Sequence, residues 1–82
     1  MIYMYETVDK NSKKIAYITS DTSIADLLNF AHRINFDNPQ VLRPLGMSTH
    51  IAVFGYKRRL ALKRGAVTVD LNTFNKKGEL IA

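Results

Sequence analysis

Lys57, Arg58, Arg59, Lys63 and Arg64 fall within eight consecutive residues and account for five of the twelve Lys and Arg residues of the chain. Cations at this density hold phosphates or an acidic surface through charge-assisted contacts, but they supply no proton acceptor at neutral pH. The other residues suited to chemistry are two histidines, His32 and His50, which lie on different predicted elements. There is no cysteine, and no HExxH-type spacing, so no metal site is indicated. His50 is the single catalytic candidate. It would need Asp21 or Asp70 within about 3 Å to act as an acid-base unit, and a hydrogen-bonded strand histidine is the commoner role. Walker, GxGxxG and GxSxG motifs are absent. The residues lean away from an enzyme and imply no cofactor.

Two predicted turns could add to the basic cluster. The segment from Ser20 to Ser23 precedes a helix, and Gly55 opens the basic helix predicted over Tyr56 to Arg64. If the strands before these turns are parallel neighbours, Ser20, Thr22, Ser23, Gly55, Lys57 and Arg58 would surround one anion at the carboxyl edge of the sheet. Alternatively, the hydroxyls only cap a helix and the cations are solvated. On its wheel the basic helix has no clean apolar face, so some Lys and Arg stems should cover hydrophobic surface while their charges reach water. Contacts from Arg59, Lys63 and Arg64 would then be to phosphates rather than to base edges.

The elements that position these groups follow from periodicity. Residues 1 to 8 read as a strand, DKNSKK as a polar turn, and Lys14 to Thr19 as a second strand able to close a hairpin. Ile24, Leu27, Leu28, Ala31 and Ile34 recur at helical spacing, with Ser23 and Asp26 in a capping-box arrangement. A loop with one short extended piece should follow, since Arg43-Pro44 and Gly46 oppose a regular strand over 41–48. Strands are predicted over 49–54 and 66–70 on either side of the basic helix, with Gly65 as its C-terminal cap. Lys76-Lys77-Gly78 reads as a turn that folds 79–82 back as a last strand. The order implies an α/β chain, a small Rossmann-like sheet of about four strands with two helices.

The chain has 82 residues, which makes one domain over 1–82. Domains of this size bury only about 60% of the surface exposed on unfolding. Without disulfides, good packing or self-association must supplement the core, so a homo-oligomer is compatible with the sequence. A net charge of +5 and a pI near 9.8 favour nucleic acid, nucleotide phosphates or an acidic protein as partner. The start MIYMYETVDK lacks a basic n-region, and no apolar run approaches the roughly 20 residues of a membrane span. A cytoplasmic protein without membrane contact is expected.

Ser20-Asp21, Asp26-Leu27, Phe30-Ala31, His50, the Arg58 region and Gly65-Ala66-Val67 occur in an order that resembles a family of short bacterial and phage proteins, domain of unknown function 4031. The resemblance implies a diverged member, plausibly phage-encoded. Ile51-Ala52 stands where the family is expected to carry Tyr-Asp, and Tyr17 and Leu28 stand at positions expected to be polar. If those acids and histidines form a family active site, this chain lacks much of it.

The leading expectation is therefore a small basic, non-enzymatic protein that contacts nucleic acid or another phosphate-bearing ligand through the 55–64 helix. An interaction protein that inhibits an acidic host protein is the alternative, and capture of a nucleotide signal is the third.

Overall fold

The computed structural model describes residues 1–81. β1 (Ile2–Val8) and β2 (Lys14–Ser20) form the predicted hairpin, paired antiparallel from Ile2 opposite Ser20 to Val8 opposite Lys14. Its turn is organised by Asp9, whose carboxylate accepts from the Asn11 and Lys13 amides at 2.8 and 3.0 Å. Such a side chain satisfies backbone donors where the strand ladder must stop. Alternation then places Ile2, Met4, Ala16 and Ile18 on one sheet face and Tyr3, Tyr5, Tyr17 and Thr19 on the other.

α1 (Ile24–Arg33) starts at Ser23, whose hydroxyl accepts from the Asp26 amide at 3.0 Å as the capping pattern predicts. Leu27, Phe30 and Ala31 of this helix, with Ile34 just after it, are buried in one core with Met4, Ala16 and Ile18. β3 (Val41–Leu42) is the short extended piece, and β4 (His50–Phe54) adds Ile51 and Val53 to the same core. α2 (Tyr56–Lys63) follows at once and buries Ala61 there. Gly55 has φ +61° at this junction, a conformation that lets the strand turn directly into the helix.

The α/β class holds, but the Rossmann-like sheet of four strands with two helices does not. There are five strands, in the order β3-β4-β2-β1-β5 with β5 at Val67–Thr68, and three α-helices. The sheet is mostly antiparallel, and only β1 and β5 pair in parallel. β4 pairs antiparallel with both neighbours because residues 34–49 first carry the chain through β3, so β4 returns from β3 instead of landing from a crossover. The crossover rule applies once: β4, α2 and β5 form a unit whose strands run the same way, with β2 and β1 between them.

The tail is the second correction. Residues 71–78 form α3 (Leu71–Gly78) and residues 79–81 a 3-10 turn, where a turn and a last strand were expected; Ala82 of that strand lies outside the described residues. Asp70 ends the predicted strand early because its carboxylate caps α3, accepting from the Thr73 amide at 2.8 Å. Phe74 and Gly78 are buried against the Tyr-rich sheet face. Gly78 is no turn residue: a Cβ there would meet the Ser48 side chain and stand 2.9 Å from Thr19 Oγ1. Among the described residues no helix is long and apolar enough to cross a membrane.

Candidate functional site

The antiparallel pairing of β2 with β4 decides where the candidate residues go. Ile15 stands opposite Phe54 and Ile18 opposite Ile51, so Ser20 and Gly55 lie at opposite ends of the sheet, about 20 Å of strand apart. The single anion site expected from Ser20, Thr22, Ser23, Gly55, Lys57 and Arg58 is therefore split. At the first end, Ser20 Oγ donates to Asp26 at 2.7 Å and accepts from the Thr22 amide at 3.0 Å. Ser23 caps α1, and Thr22 Oγ1 donates to Asp21 at 3.1 Å. The amino group of Met1 also bonds Asp21, at 3.0 Å, and holds its carboxyl below the usual range. This end is capping chemistry, and its acids repel a phosphate.

The other end is different. The hairpin turn brings Lys13 and Lys14 beside Gly55 and the first turn of α2, and together with Arg58 and Arg59 they line a cleft of about 690 Å³. Ile15 and Phe54 add apolar surface, and Phe54 is 65% exposed. No side chain caps α2, so its leading amides add to the positive field. Asp9 also borders the cleft, with its carboxylate engaged by the turn amides. Among the described residues Lys13, Lys14 and Arg59 make no ion pair.

The five helix cations have different roles. Arg58 Nη1 donates to Glu6 Oε1 at 2.8 Å and is mostly covered. Lys57 Nζ lies 5.3 Å from the Phe36 ring centre and 5.1 Å from that of Tyr56, so it pins the helix to the loop after α1. Arg59 faces the cleft, whereas Lys63 and Arg64 are exposed at the far end of the helix. Arg64 borders a separate shallow cleft with Met1, Asp26 and Arg33.

His50 is 2% exposed and packs against Tyr17, with ring centres 4.5 Å apart, and against the edge of Phe74. Its Nδ1 lies 2.7 Å from the Ser48 carbonyl, which can only accept, so Nδ1 carries the proton. Burial lowers the pKa of this imidazole, opposed by that hydrogen bond. Asp21 and Asp70 are engaged at α1 and α3 and do not bond it. His32 is exposed and pairs with Asp37 at 3.0 Å. No group of three or more His, Asp or Glu able to hold a metal occurs among the described residues.

No family model, curated protein or solved structure matches this chain.

Lys13, Lys14, Ile15 and Phe54 are the site residues that periodicity and charge clustering miss. Each is unremarkable in its own segment, a turn lysine or a strand apolar. Only the β2/β4 register places them together.

Proposed function

We propose that this chain is a small binding protein that holds a phosphate-bearing ligand, nucleic acid first, in the cleft between the hairpin turn and the first turn of α2. The observation that carries this reading is the convergence of Lys13, Lys14 and Arg59, all without acidic partners among the described residues, on an uncapped helix start. Cations at this spacing neutralise phosphates without reading sequence, and their contribution falls as salt displaces them. The contact is centred on the front of the 55–64 helix and recruits the hairpin, while Lys57 and Arg58 support the structure. His50 is read as a core residue, so the proposal is for binding and not for catalysis. The likeness to domain of unknown function 4031 belongs to the same proposal and rests on the order of its matches, from Ser20-Asp21, Asp26-Leu27 and Phe30-Ala31 through His50 and the Arg58 region to Gly65-Ala66-Val67.

Titration of a labelled oligonucleotide at low and moderate salt tests the reading. Three phosphate contacts give a slope of log K against log salt of about −2 to −3. Absence of binding at low salt would overturn it.

A further inference from the structure

Resting on that binding reading, we infer that the cleft takes single-stranded nucleic acid, with Phe54 as a platform for an unpaired base. Phe54 is the last residue of β4 and keeps 65% of its surface in water, forgoing much of the stabilisation that burial of such a side chain supplies. An isolated exposed aromatic would need no explanation. This one borders the same cleft as Lys13, Lys14 and Arg59, and Ile15 stands opposite it.

Tyr17 pairs with Ala52, so it is the diagonal neighbour of Phe54 on the same face, about 7–8 Å away by sheet geometry. It is half-buried and stacks on Tyr5, with ring centres 6.4 Å apart and an interplanar angle of 29°. Tyr17 thus has rings on both sides, Tyr5 and His50, and the open aromatic surface beside the cations is that of Phe54, which suits a strand whose phosphates meet Lys and Arg while one base lies on the ring. In a duplex the base faces are stacked on one another, so only the phosphate contacts remain. The cleft therefore discriminates between strand forms through Phe54 and not through charge.

Fluorescence anisotropy of the full chain with a short labelled oligothymidylate and with a duplex of equal length tests this. The single strand is expected to bind more tightly. Phe54→Ala should weaken it by about 5- to 150-fold, the value of one stacked base, and weaken duplex binding by a clearly smaller factor. Phe54→Tyr should retain affinity. Because the residue is exposed, the thermal midpoint of each variant should stay at that of the parent. Equal affinity for duplex and single strand, or a Phe54→Ala variant with unaltered single-strand binding, overturns the base platform and leaves the phosphate reading standing. No binding of either form at low salt overturns both. Competition by thymidine monophosphate at concentrations equal to those of the strand overturns the strand as ligand and assigns the cleft to a free nucleotide.

Discussion

Arg58 Nη1 lies 2.8 Å from Glu6 Oε1, tying the first turn of α2 to the middle of β1 across the sheet face that carries the core. The pair removes one cation from the front of the basic helix. In Glu6→Gln that charge is released toward the cleft, so oligonucleotide affinity should rise and the salt slope should steepen by about one unit. The accompanying loss of stability should not exceed about 1 kcal/mol, the usual limit for a partly exposed pair. An unchanged slope would mean that Arg58 stays outside the contact even when unpaired.

Position on α2 should matter more than charge count. Reversing Lys13 and Arg59 together to Glu should remove binding at moderate salt, since both border the cleft. The same reversal at Lys63 and Arg64 keeps the net charge equal to that of the first variant but acts from the far end of the helix. Its effect should be smaller and should fade at an ionic strength where the screening length is about 8 Å. Equal losses in the two variants would favour a diffuse basic surface over a cleft.

Gly78 tests the packing of α3. Gly78→Ala pushes a methyl group into Ser48 and Thr19, both buried, and should cost about 1–3 kcal/mol. For a domain of this size each kcal/mol lowers the thermal midpoint by about 4–8 °C. Lys76→Ala, on the exposed side of the same helix, should leave the midpoint within a degree or two of the parent. A tolerated alanine at 78 would show that α3 can lift from the sheet without penalty.

His50 predicts an acid-side loss of stability. Its pKa is depressed in the folded chain, so the unfolded chain takes up the proton first as pH falls. The stabilisation is complete above the ordinary value of 6.5 and declines as pH drops below it toward the folded value. Thermal midpoints measured from pH 7.5 to pH 5 should fall, and His50→Gln should flatten that fall. Asp21 and Asp70, whose pKa values are also lowered, act only below their ordinary value of 3.8 and leave this window clear. Parallel curves for parent and variant would assign the acid loss to another group.

Local signals carried much of this fold. Ser23 with Asp26, the apolar spacing from Ile24 to Ile34, and the DKNSKK turn each describe a few neighbouring residues, and each element appears where its pattern places it. The direction of β4 relative to β2 is a property of residues far apart in the chain, paired from Ile18 with Ile51 to Ile15 with Phe54, and no local pattern reports it. The split of the expected anion site and the appearance of Lys13, Lys14 and Phe54 in one cleft both follow from that single relation. The helix at 71–78 was legible in principle: Asp70 precedes Leu71, Phe74 and Gly78 at helical spacing. Lys76-Lys77-Gly78 obscures it because glycine in close packing and glycine in a turn look alike in sequence.

The sheet ends on both sides in strands of only two residues, β3 and β5, with Arg43-Pro44 directly after the first. Each covers only part of the strand inside it, β3 pairing with His50 and Ile51 and β5 with Tyr3 and Met4, so each edge is stepped between strands and not one long continuous ladder. Fibril growth is thereby discouraged in a protein that leaves Phe54 and Leu80 uncovered. A shared ladder would have to start on a stepped edge, whereas the side-chain surfaces offer contacts that charge and salt can reverse.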